Sequence, residues 1–196
     1  MQNINITTGK PFKDKKVASK IKALENETSS LVNVAYSTFA NPGTTERTLL
    51  ETTGFVSKEK LFATVDAICN LTSNVTGIQT FTYKMYLGGT EVATSVVTVP
   101  DALNTLFSVR LVGTVLYSRN NAGTLEYVAS IQAVPLATSA SADVSTVTVV
   151  NKQSPLVTGA TLAGDYDLKL TCTASIGTAT TTITALGGRA TFNNRN

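Results

Sequence analysis

The stretch Phe107-Ser108-Val109-Arg110-Leu111-Val112-Gly113-Thr114-Val115-Leu116-Tyr117, followed by Ser118-Arg119-Asn120-Asn121-Ala122-Gly123 and then Leu125-Glu126-Tyr127-Val128-Ala129-Ser130-Ile131-Gln132-Ala133-Val134, decides the fold class. Phe107, Val109, Leu111, Val115 and Tyr117 recur at every second position, and Leu125, Tyr127, Ala129, Ile131 and Ala133 repeat the pattern. A strand turns successive side chains to opposite faces, so a period of two collects each apolar set on one side. Asn-Asn-Ala-Gly between the runs supplies residues that tolerate the positive φ of a tight reversal. The pattern predicts a long antiparallel hairpin with one face in a core and the other largely wet. Val112 and Leu116 intrude on the wet face.

Outward from this hairpin, the same signals repeat. Leu31 to Phe39 reads as a strand ended by the turn Asn41-Pro42-Gly43, and Thr48 to Val56 as a short second one. Leu61 to Leu71 places Leu61, Ala63, Val65, Ala67, Cys69 and Leu71 on one side. Phe62 and Ile68 on the other predict a strand covered on both faces. Phe81, Tyr83, Met85 and Leu87 alternate up to Gly88-Gly89, which turns the chain into Val92 to Val99. Residues 135–142 read as a loop and Asp143 to Val150 as a strand. Tyr166 to Ala174 and Thr180 to Phe192 are the last two strands. About ten short strands joined by Gly, Pro and Asn turns, with no repeated unit, predict an all-β sandwich or barrel.

The 196 residues suffice for one large β domain with an appendage. Charged residues make up 15%, well under the usual quarter, and Thr, Ser and Asn replace them in a polar but uncharged exterior. The net charge of +3 is segregated. Residues 1–29 carry six lysines against Asp14, Glu25 and Glu27, whereas the remainder holds ten basic and ten acidic residues. By charge, only this arm is suited to a polyanionic partner. Within it, Val17, Ile21 and Leu24 fall at i, i+4 and i+7 with lysines between, which predicts a short amphipathic helix from Pro11 to Glu27. Such a helix is marginal alone and needs a surface to lie against. The chain therefore divides into an arm, 1–29, and a β domain, 30–196.

The sequence contains no His, which excludes most nucleophilic triads, HExxH metal sites and histidine general bases. No GxSxG and no phosphate-binding glycine loop occurs. Asp165 and Asp167 share a face at strand spacing and have the chemistry to hold a hard cation, but they follow Gly164 at a loop edge where acids sit in water. Asp66, inside a strand, reads as a hydrogen-bond or salt-bridge partner. Cys69 and Cys172 read as buried small hydrophobes, with a single disulfide as the alternative. Tyr36, Tyr86 and Tyr117 are the aromatic residues left for a saccharide platform. The opening residues lack a basic and apolar secretory signal, and no apolar run reaches membrane-spanning length. These residues predict no catalytic site, no metal and no cofactor.

The run from Thr45 to Phe192 resembles the jelly-roll domains of structural proteins of tailed bacteriophages, namely head fibres, decoration proteins and tail-fibre ends. The residues that carry the resemblance are Thr45-Glu46-Arg47-Thr48-Leu49-Leu50, Phe81-Thr82-Tyr83-Lys84-Met85-Tyr86-Leu87-Gly88-Gly89-Thr90, Phe107-Ser108-Val109-Arg110-Leu111 and Asp167-Leu168-Lys169-Leu170-Thr171. It implies an eight-stranded jelly-roll β-sandwich of two four-stranded antiparallel sheets, assembled as trimers or larger rings. It also implies a place in the virion and adhesion to a particle or host surface in place of catalysis. With that resemblance, Lys10, Lys13, Lys15, Lys16, Val17, Lys20, Ile21, Lys22 and Leu24 become the candidate anchor to another virion protein, a major capsid or neck or tail protein. Two alternatives remain at this stage: a coat protein whose lysine arm packages nucleic acid, and a fibre tip that binds a receptor or glycan.

Overall fold

In the computed structural model, residues 30–34, 37–40, 44–52, 60–73, 76–99, 105–119, 122, 125–137, 147–152, 157–158, 168–176 and 181–194 are described. They form twelve strands. These are β1 (Ser30–Val34), β2 (Ser37–Ala40), β3 (Arg47–Glu51), β4 (Lys60–Ser73), β5 (Gln79–Leu87), β6 (Thr90–Val99), β7 (Thr105–Arg119), β8 (Leu125–Ala137), β9 (Thr148–Lys152), β10 (Val157–Thr158), β11 (Leu168–Ala174) and β12 (Thr182–Asn194). Every pairing is antiparallel. Sheet A has seven strands in the order β1-β12-β4-β7-β8-β10, with β2 also on β12, and sheet B has five in the order β3-β11-β5-β6-β9.

The pairing is nested. β1 and β2 lie on β12, β3 on β11, β4 on β7 and β5 on β6, while β12 also meets β4 and β11 meets β5. This is one long antiparallel ribbon rolled into two layers, the jelly-roll path. β8, β9 and β10 are inserted between β7 and β11. β8 and β10 join sheet A and β9 joins sheet B, and with the first strand described as β1 and β2 the sheets hold seven and five strands, where four and four were expected.

The decisive hairpin forms as its alternation requires. β7 and β8 pair from Phe107 opposite Ala137 to Arg119 opposite Leu125. Val109, Leu111, Val115, Tyr127, Ala129, Ile131 and Ala133 are buried. They face Phe81, Tyr83, Met85, Leu87 and Val97 of sheet B, also buried, across one core. β5 and β6 turn at Gly88 and Gly89, whose φ of 54° and 78° are the positive angles that a two-residue hairpin requires.

Strand β8 runs to Ala137 through residues read as a loop, and it contains Pro135 opposite Val109. β10 pairs with β8 only at Glu126 and Tyr127, so at Pro135 no described strand lies on the far side. Proline, which lacks an N–H, is tolerated at such an edge. Farther along that edge the Ala133 amide donates to Asn151 Oδ1 at 3.3 Å, and Ser95 Oγ donates to the same oxygen at 2.6 Å. One side chain from β9 thus ties sheet B to sheet A.

Other boundaries differ from the sequence reading. Leu31 to Phe39 is covered by β1 and β2, which pair with β12 in one continuous register on either side of residues 35 and 36, themselves outside the described residues. The bulge of β12 between Ala185 and Gly187 is against β4. β3 ends at Glu51, and Thr52 closes it: its amide and hydroxyl both donate to Leu168 O, and the Leu168 amide donates to Thr52 Oγ1. β9 starts at Thr148, later than Asp143. Phe62 and Ile68 are each 39% exposed, so β4 is covered on one face only.

Candidate interaction surface

Cross-strand pairing sets the outer face of sheet A in rows. Phe62, Leu116 and Val128 lie side by side on β4, β7 and β8 and are 39%, 56% and 43% exposed. The next row is hydroxylic: Thr191, Thr64, Thr114 and Ser130, the last two hydrogen-bonded at 2.8 Å. Then come Arg189, Asp66, Val112 and Gln132, followed by Gly187, Ile68, Arg110 and Val134. Leu136 and the bulged Leu186 extend the exposed apolar residues at this second end. The face thus carries an apolar row at one end and an apolar group at the other, with polar residues between.

The centre of the face is an ion pair. Arg110 Nε donates to Asp66 Oδ1 at 3.0 Å and Nη2 to Oδ2 at 2.8 Å, a bidentate fork, with Arg189 3.9 Å away. The Arg110 hydrogen bonds, opposed by partial burial, hold the Asp66 carboxyl below its ordinary range. The salt-bridge reading of Asp66 holds. An open depression of about 310 Å³ lies beside it, lined by Asp66, Ala67, Ile68, Gly187, Gly188 and Arg189 around the β12 bulge.

The outer face of sheet B is polar apart from Val96 and the exposed Val150. Thr80, Thr98 and Thr148 stand in one cross-strand row. Glu46 accepts from Tyr86 Oη at 2.7 Å and from Thr171 Oγ1 at 2.5 Å, and Lys84 pairs with Glu91 at 2.8 Å. Burial works to raise the Glu46 carboxyl, but the hydrogen bonds from Thr171 and Tyr86 outweigh it, and the net shift is downward. Tyr86, pushed up to about 12 by burial and by Glu46, keeps its proton. Lys169 Nζ sits 5.1 Å over its ring, so that face of the aromatic plane is already taken by a cation. Glu46 and Asp66 both favour the ionised form, which makes them acceptors at neutral pH and poor proton donors.

Between the layers, Cys69 and Cys172 are both buried and unpaired. Burial pushes the Cys69 thiol up to about 12 and the Cys172 thiol well above its ordinary value. Neither is a thiolate near neutrality, so neither has the reactivity of a nucleophile. Among the described residues, no group of three or more His, Cys, Asp and Glu is gathered as a metal site, and no helix is long and apolar enough to cross a membrane.

The candidate anchor residues, Lys10 through Leu24, lie outside the described residues, as do Asp165, Asp167 and Tyr36. The exposed row on sheet A is what the sequence reading missed. Its signal was present in Val112 and Leu116, which break the polar face of β7, and in Phe62 and Ile68, which were assigned to a covered face.

No protein-family model and no curated protein matches the chain. Solved structures similar to it include the following two. One is the CBM2 module of the evolved Dit of Lactobacillus casei BL23 phage J-1, with a TM-score of 0.29 and 8% identity over 69% of this chain and 63% of that one. The match therefore spans less than two thirds of the phage module's chain. The other is lectin I of Ulex europaeus in complex with the methyl glycoside of α-L-fucose, with a TM-score of 0.33 and 8% identity over 84% of this chain and 98% of that one. At these values neither likeness carries an argument about function.

Proposed function

We propose that this chain is a non-enzymatic structural protein of a virus particle, a capsid decoration or head-fibre type protein. In this reading residues 1–29 fasten it to the particle and the jelly roll makes contacts with further copies. The observation that carries the reading is the segregation of charge: +3 on residues 1–29 and zero on the remainder. A neutral, Thr-rich block on a cationic leash suits attachment to an acidic surface, since the attraction is confined to one end. The exposed apolar residues of sheet A supply what lateral packing requires, an apolar patch rimmed by polar groups.

Sedimentation of the full chain with purified particles tests the anchor. The wild-type protein is expected to pellet with the particles, and a variant with Lys13, Lys15, Lys16 and Lys20 changed to Glu to stay in the supernatant. Equal pelleting of both would refute the anchor. The arm has three acids among its lysines and no Arg, so binding to free nucleic acid is expected to be weak and lost by moderate salt.

A further inference from the structure

The row of Phe62, Leu116 and Val128 is the most exposed apolar line on the outer face of sheet A, and the chain itself carries a segment of matching size. β4 and β8 are two inter-strand spacings apart, so the row is about 10 Å long. Val17 and Leu24 are seven residues apart, which on a helix is also about 10 Å. The point of entry agrees. Ser30 pairs with Phe192, and Phe192 with Ala63, the neighbour of Phe62, so the arm joins the sheet at the same end as the row. From Ser30 back to Leu24 is six residues, a reach of up to about 20 Å. Phe62 lies only two strand spacings from β1, about 10 Å.

We propose that, in the protein free of its particle, the arm folds back within one chain and lays Val17, Ile21 and Leu24 along Phe62, Leu116 and Val128. The lysines between them then face water. This deepens the anchor reading and rests on it for its consequence. The arm cannot hold the row and the particle at once, so docking on the particle uncovers Phe62, Leu116 and Val128 for neighbouring copies. Assembly contacts between jelly rolls thereby become available only where the particle has taken the arm.

Paired cysteines in the otherwise intact chain test the contact. Ile21→Cys with Leu116→Cys, oxidised by glutathione disulfide at low protein concentration, is expected to give an intrachain disulfide, seen by peptide mass mapping. Cys69 and Cys172 are buried and do not compete. Ile21→Cys with Val150→Cys, on the outer face of sheet B, is expected to give at least tenfold less. No cross-link to position 116, equal yields at 116 and 150, or cross-links only between chains would each overturn the proposal, the last in favour of a second copy on the row. The test uses the isolated protein, so its failure leaves the particle anchor, tested by sedimentation, standing or falling on its own result.

Discussion

Met85 of sheet B occupies the space that Gly113 of sheet A leaves open: its Sδ lies 2.8 Å from where a Cβ on Gly113 would stand. The one break in the apolar alternation of β7 is therefore a socket for a side chain from the opposite layer. Gly113→Ala is expected to destabilise the fold by about 1–3 kcal/mol through overpacking, and Met85→Ala by about 2–5 kcal/mol through the cavity it leaves. Because the two residues share one space, the double variant is expected to be more stable than the sum of the single losses predicts. Urea unfolding of the four proteins measures this. Strict additivity would mean that the two side chains do not meet.

The Asp66–Arg110 fork gives a pH signature of known sign. The Asp66 carboxyl is held below its ordinary value by Arg110, so its contribution is present above the unfolded-state value of about 4 and is lost as pH falls through the lower folded-state value. The pair is partly exposed, with side chains 28% and 50% accessible, so the contribution is under about 1 kcal/mol. Asp66→Asn is expected to be slightly less stable than wild type at pH 7 and equal to it near pH 2. A gap that persists at pH 2 would assign the effect to packing.

Thiol chemistry reports on the closed core. Cys69 and Cys172 are expected to resist a disulfide reagent in the native protein and to react as two thiols per chain in denaturant. Fast labelling of the native protein would place at least one of them at the surface.

Much of this architecture was legible in the residues. Alternation announced β7 and β8, Gly88-Gly89 announced the β5–β6 turn, and both survive in the structure because a period of two and a positive φ are local requirements. What alternation does not encode is whether a second face is covered. Phe62 and Ile68 were therefore assigned to a buried side when they stand on a bare one. Nor does it encode partnership at a distance: β12 bulges at Leu186 against β4 while keeping one register with β1 and β2 on its other side, a fact of pairing between strands far apart in the chain. The polar rows between the apolar ends of sheet A likewise arise only when β4, β7, β8 and β12 are aligned. The arm residues were singled out by composition and helical spacing alone.

Electron microscopy of particles carrying this protein tests the central claim most directly. The account predicts jelly rolls outside the shell, each joined to it through residues 10–24, and their loss from particles made with the four-lysine charge reversal. Jelly rolls lining the interior against nucleic acid, or full occupancy with the reversed arm, would contradict it.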